Sequence, residues 1–111
     1  MKIIGLILAG ALLLSSASLF AESHLDSALE HANAAVKEGQ TGTLPKLVIH
    51  AKAALDHSLA ASLVAKSIPK NHIDAASKSL QDAIDHSALN HVAPATKSAE
   101  EAVAHLSAAK K

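Results

Sequence analysis

The 111-residue chain contains no cysteine, tryptophan or tyrosine, and Phe20 is its only aromatic residue apart from histidine. Without cysteine, the chain cannot form disulfide bonds, iron–sulfur clusters, thiolate zinc sites, a covalent c-type haem link or a cysteine-linked lipid anchor. Ten basic residues balance ten acidic ones, whereas a nucleic-acid binder usually has a basic excess and aromatic side chains that stack on bases. We therefore expect no nucleic-acid partner and no thiol chemistry.

Glycine and proline are also scarce, with four glycines and three prolines in the chain. The remaining residues are dominated by alanine, leucine, lysine and acidic side chains, which favour helix. Gly39 and Gly42 with Pro45, then Pro69, and then Pro94 mark three connections between helical segments. The pattern predicts an all-α fold, an up-down antiparallel four-helix bundle.

Helix ends and buried faces follow from capping residues and from the spacing of apolar residues. Ser23 with Asp26 resembles a capping box, and Thr43 is a candidate N-cap. The predicted helices cover about 23–38, 44–66, a segment opening at Asn71, and 92–109. Apolar residues at i, i+3, i+4 and i+7 predict one buried stripe on each helix. In chain order, these stripes are Leu25, Ala28, Leu29, Ala32 and Val36; Leu44, Val48, Ala51, Leu55, Leu59 and Ser62; Ile73, Ala76, Leu80, Ala83 and Ile84; and Val92, Ala99, Ala102, Val103 and Leu106.

A weak internal repeat appears when the chain is shifted by 48 residues. The segment His24-Leu25-Asp26-Ser27-Ala28 then falls on His72-Ile73-Asp74-Ala75-Ala76, and His57 falls on His105. Two similar units in one small chain predict two copies of a helical hairpin, over about 22–66 and 71–111.

The first residues have the pattern of a secretory signal peptide. Lys2 supplies a positive charge, an apolar run covers 3–14, and small residues lead to Ala21. We expect a signal peptide over 1–21, cleaved after Ala21 with Ala17 as a second candidate, and a mature domain over 22–111 in the periplasm. After cleavage we expect a monomer with no membrane contact. The alternative is an uncleaved membrane anchor.

Eight histidines are the most distinctive residues of the chain. They fall at intervals of seven or fourteen within each predicted helix, so each helix carries two of them on one face. At about 100° per residue, they lie beside the apolar stripes and not within them. Neutral imidazole is a common ligand of zinc, copper and nickel. The candidate metal ligands are His24, His31, His50, His57, His72, His86, His91 and His105.

Helix geometry limits how these histidines share an ion. Rings seven residues apart on one helix are separated by about 10.5 Å along its axis, so each ion needs further ligands from a neighbouring helix, a carboxylate or water. Asp82/His86 and Glu101/His105 are i, i+4 pairs that could act jointly. We expect several open, partly hydrated sites, which favour Cu(II) over Ni(II) and Zn(II).

The chain resembles the small metal-binding protein family of the bacterial periplasm. Four motifs carry the resemblance: Ala28-Leu29-Glu30-His31-Ala32, Ile49-His50-Ala51-Lys52, Ala83-Ile84-Asp85-His86 and Glu101-Ala102-Val103-Ala104-His105. The resemblance covers the whole mature chain. It implies an exported four-helix bundle that binds several divalent ions, copper foremost, in a scavenging or storage role. This chain has fewer histidines than the family pattern, because Ser79 and Ser98 stand where histidine would continue the rows.

Two other classes of function compete with metal binding. A ferritin-like di-iron enzyme needs Glu-x-x-His on two helices, and the sequence has no such motif, so we expect no enzyme. The second class is a structural or partner-binding helical module of the periplasm with no metal role. The number of copper ions bound by the purified protein distinguishes this module from a metal-binding protein.

Overall fold

The computed structural model describes the backbone of residues 2–111 and the side chains of residues 19–111. The apolar run of the predicted signal peptide therefore lies outside the described side chains. The four helices are α1 (Lys2–Gln40), α2 (Leu44–Val64), α3 (Ser67–Ala88) and α4 (Val92–Ala109). Helix α1 packs on α2 and α3 packs on α4, while α2–α3 and α1–α4 contacts close the bundle. The all-α four-helix bundle predicted from the sequence is confirmed.

Two helix starts differ from the sequence prediction. Helix α3 begins at Ser67 and not at Asn71, because Pro69 lies in the first turn, where a missing N–H breaks no helical hydrogen bond. Helix α1 continues through Ser23. The predicted capping box is therefore wrong, since a residue inside a helix has no free N–H group to cap. The starts of α2 and α4 agree with the prediction.

The core is built mainly from alanine, which lets the four helices approach closely. The largest fully buried apolar side chains are only Leu47, Ile73, Leu80 and Leu106. With so few large side chains, a substitution at any of these four positions removes a substantial share of the buried apolar surface. The predicted stripe positions Leu29, Val36, Leu55, Ile84 and Val103 are partly buried against this core.

Two predicted core positions are wrong. Leu59 is 51% exposed and Val92 is 37% exposed. In α2 the buried face passes through Ala54, Ser58 and Ala61, and Leu59 lies about 100° away from Ser58 around the helix. A polar residue thus takes the buried position and its apolar neighbour faces solvent.

Helices α1 and α4 are in contact near Gly39. A Cβ atom at this position would collide with the side chain of Thr96 and lie 3.0 Å from Leu47 Cδ1. The glycine therefore allows a contact between α1 and α4 that a larger residue would prevent.

The two hairpins turn in the same way. Thr43 N–H donates to the Glu38 carbonyl oxygen at 2.8 Å, and His91 N–H donates to the His86 carbonyl oxygen at 2.9 Å. Both donor and acceptor are shifted by the 48 residues of the sequence repeat. The two turns thus share one backbone hydrogen-bond pattern at positions that the 48-residue shift relates.

A polar contact joins α2 to α3 at the opposite end of the bundle from these turns. The Ser62 hydroxyl donates to Asp74 Oδ1 at 2.5 Å, and Lys70 Nζ lies 3.3 Å from Asp74 Oδ2. The Ser62 hydrogen bond, together with Lys70 and against the effect of burial, lowers the pKa of the Asp74 carboxyl. On the other side of the bundle, Lys110, which directly follows α4, pairs with Asp26 of α1. These two contacts tie the hairpins together where the repeat places equivalent aspartates.

By length and composition, α2 is the one helix suited to crossing a membrane among the residues that could be assessed. Core helices of soluble bundles meet the same criterion. In the bundle, α2 buries Leu44, Leu47, Ala51, Ala54 and Ala61 against the other helices.

We expect Ser58→Ala to stabilise the bundle. Ser58 is fully buried, and its Oγ has no hydrogen-bond partner among the described side chains. Removing a buried hydroxyl without a partner should add about 1 kcal/mol to the free energy of unfolding, which raises Tm by roughly 4–8 °C in a domain of this size. Thermal unfolding followed by circular dichroism measures the shift. As a control, Ser87→Ala should give no gain, because Ser87 Oγ donates to the Ala83 carbonyl oxygen at 2.8 Å. Equal shifts in the two variants would contradict the prediction.

Candidate metal-binding site

The eight histidines meet in pairs across each hairpin. Neighbouring helices of a hairpin run in opposite directions, so a histidine further along one helix meets a histidine earlier on the next. His24/His57 and His31/His50 join α1 to α2, whereas His72/His105 and His86/His91 join α3 to α4. The structure thus brings together all eight residues that the sequence singled out, each with a partner across its own hairpin, and His91 lies at the N-cap of α4.

In the α1–α2 hairpin the ring nitrogens of each pair face one another. The Nδ1 atoms of His24 and His57 are 2.8 Å apart, and those of His31 and His50 are 3.3 Å apart. In such a contact one nitrogen carries the proton and donates a hydrogen bond, and the other nitrogen accepts that bond. Two nitrogens bound to one ion at about 2.0–2.1 Å lie roughly 2.9 Å apart in a right-angled arrangement. The observed spacing fits an ion that replaces the shared proton.

The α3–α4 pairs are slightly wider. The ring centroids of His72 and His105 are 6.1 Å apart, as are those of His86 and His91. Within the described region, His86 Nδ1 is buried and has no hydrogen-bond partner. A buried ring nitrogen without a partner is uncommon, and an ion held with His91 would satisfy it.

Comparison with known proteins agrees with this geometry. The profile of the family described as "Small metal-binding protein" matches residues 1–109. The chain belongs to the small metal-binding protein family. No curated protein matches the chain.

The two hairpins of this small metal-binding protein differ in the residues at the middle of their histidine rows. In α1–α2 the row is continuous, because the rings of His31 and His57 also lie close, with centroids 5.9 Å apart and planes only 6° from parallel. In α3–α4 the buried residues Ser79 and Ser98 occupy the positions equivalent to His31 and His50 under the 48-residue shift. One hairpin therefore carries four histidines in a row, and the other carries two separate pairs.

In the described part of the chain, no acidic side chain adds a third ligand to a histidine pair. Among residues 19–111, no group of three or more His, Asp or Glu side chains is placed to hold one ion. Asp82, which the sequence suggested as a partner of His86, forms an ion pair with Lys78 at 3.2 Å instead. Glu101, suggested as a partner of His105, is exposed. Each pair of this small metal-binding protein thus offers two nitrogens, and water would supply the remaining ligands of a bound ion.

Sequence reasoning missed one contact of the histidine row. Phe20 packs edge-to-face on the His24 ring, with centroids 4.4 Å apart. The two residues are at i, i+4 spacing on α1, which places them on one helix face. The spacing itself is a signal for the contact, but the sequence pattern places Phe20 within the predicted signal peptide.

Proposed function

We propose that the protein is an exported binding protein that scavenges or stores divalent transition-metal ions, with copper foremost. The ions are its cargo, and each is held by one histidine pair that spans a hairpin. The observation that carries the proposal is the pairing of all eight histidines across helices, with facing Nδ1 atoms at 2.8 and 3.3 Å in the α1–α2 hairpin. Copper is favoured because Cu(II) binds nitrogen ligands more tightly than the other common divalent ions, with Ni(II) and Zn(II) weaker.

The openness of the pairs supports scavenging or storage over catalysis. Apart from the exposed His91, the histidines are only partly buried. A site with two protein nitrogens and several water ligands lets an ion enter and leave without a change in the fold. A structural zinc site, by comparison, is closed by four protein ligands.

Export is the second part of the proposal. The charged start, the apolar run and the small residues before Ala21 support cleavage after this residue and release into the periplasm as a monomer. Cleavage at this point would remove Phe20 from the His24 ring, so the mature protein would present the end of the α1–α2 row to solvent.

Copper stoichiometry tests the proposal directly. At pH 7.5 we expect equilibrium dialysis to give up to about four Cu(II) per chain, one for each pair. His105→Gln should lower the number by one, because it leaves His72 without its partner. The control Lys97→Gln, an exposed change on the same helix, should leave the number unchanged.

Two outcomes would contradict this assignment. If the purified protein retains no copper, the partner-binding helical module is the better interpretation. If His105→Gln binds as many ions as the parent, the His72/His105 pair does not hold an ion.

A further inference from the structure

The geometry points to an additional metal position between the two outer pairs of the α1–α2 hairpin. We propose that His31 and His57 bind one ion together, so that an ion moves along this row by exchanging one histidine at a time. The inference rests on the proposed function, since it concerns the same cargo ion. It differs from that function in assigning one hairpin, and not the other, as a path for the ion.

The spacing of the row is nearly uniform. Along the bundle, the histidines alternate between α1 and α2 in the order His24, His57, His31 and His50. The successive ring centroids are 5.1, 5.9 and 5.6 Å apart. Two imidazoles bound to one ion at about 2.0–2.1 Å have centroids roughly 4.5–6.5 Å apart. The middle contact therefore satisfies the same distance condition as the outer two.

The middle position shares its ligands with the outer ones. His31 Nδ1 faces His50, and His57 Nδ1 faces His24, so an ion in the middle requires these rings to turn toward each other. Both rings are only partly buried, and each imidazole has two nitrogens that can bind a metal. The row thus holds either two ions at the outer pairs or one ion in the middle.

Shared ligands give a stepwise route for exchange. An ion held by His24 and His57 forms a bond to His31 and then loses its bond to His24, while His57 stays bound throughout. The next step replaces His57 by His50 in the same way. At each step the ion keeps at least one imidazole ligand, and no change in its charge or oxidation state is needed.

The α3–α4 hairpin has no such route. His72 and His86 are fourteen residues apart on α3, which is about 21 Å along the helix axis. Ser79 and Ser98 stand in the interval where the other hairpin has histidines. An ion at either pair of this hairpin has to leave the protein before it reaches the other pair.

The test uses proteins in which histidines remain only on the α1–α2 hairpin. Two variants then disrupt both outer pairs, one by removing the two end histidines and the other by removing the two central ones. The parent is the full chain, expressed and purified with its four α3–α4 histidines replaced by glutamine: His72, His86, His91 and His105. The first variant adds His24→Gln and His50→Gln, and therefore keeps only the central pair. The matched control adds His31→Gln and His57→Gln, and keeps only the two ends of the row. Glutamine has a higher helix propensity than histidine, and circular dichroism verifies the helix content of each protein.

Equilibrium dialysis against Cu(II) then counts the bound ions. We expect two ions in the parent, one in the variant that keeps His31 and His57, and none in the control at the same copper concentration. The affinity of the central pair should exceed that of the control by at least tenfold. If the two variants bind copper equally weakly while the parent binds two ions, the central position is wrong and the outer pairs stand. If the parent also binds none, the proposed function itself fails for this hairpin.

Discussion

Replacing all eight histidines with glutamine is expected to abolish specific copper binding while the bundle stays folded. The eight rings lie at the boundary of the alanine core, where all but the exposed His91 are partly buried, so glutamine removes the ligand nitrogens and leaves the core residues in place. We expect the affinity for Cu(II) near pH 7.5 to fall at least about a hundredfold, because only scattered carboxylates and the backbone remain as weak ligands. Titration calorimetry measures the loss, and circular dichroism shows that the helices persist.

The same variant serves as the reference for a test in acid. Imidazole binds a metal only as the neutral ring, and protons compete for the same nitrogen. Free imidazole is mostly charged at about pH 5, so the unaltered protein should release most of its copper between pH 7.5 and about pH 5. The variant without histidines should show no comparable release. If it binds as many ions as the unaltered protein, the site lies on carboxylates and the histidine pairs have another role.

The sequence predicted which residues form the candidate site but not which of them meet. Intervals of seven and fourteen placed the histidines on helix faces, and the rise of the helix required ligands from a second helix. The actual partners depend on where each hairpin turns. The Thr43–Glu38 and His91–His86 backbone hydrogen bonds set that register. Sequence spacing along single helices does not contain this information.

The errors in the predicted fold have similar local causes. The Pro69 segment predicts a break between helices, although proline is compatible with the first turn of a helix. Ser67 forms the turn between α2 and α3 in the left-handed conformation, with φ at 60°. This conformation is uncommon for serine, so the sequence gives no sign of it. Leu59 was predicted to be buried because it is apolar, whereas the helix phase places Ser58 inward. In a core made mainly of alanine, a small serine fits where leucine would not.

The interior and the candidate site depend on the same property of the sequence. Small side chains such as Ala28, Ala32, Ala51 and Ala54 are fully buried where α1 and α2 meet the core. Helices with small contact residues approach closely, and that approach allows rings on neighbouring helices to come within hydrogen-bond distance. Larger core residues would separate the helices and the facing nitrogens together. The alanine composition therefore explains the histidine pairing as well as the thinness of the core.

That thin core makes Leu80→Ala a severe change. Leu80 is fully buried, and it is one of the four largest apolar side chains that are fully buried within residues 19–111. Truncation of a buried leucine to alanine costs about 2–5 kcal/mol, out of a total stability of roughly 5–15 kcal/mol for a small domain. We expect a large drop in Tm, or loss of the folded state at 37 °C, measured by thermal or urea unfolding with circular dichroism.

The matched control is Leu63→Ala, which alters a side chain that is 85% exposed and should stay within about 0.5 kcal/mol of the parent. Because the histidine pairs exist only in the folded bundle, saturating copper should recover part of the Leu80→Ala loss. If the Leu80→Ala protein is as stable as the Leu63→Ala protein, the buried stripe of α3 does not contribute to the stability of the core.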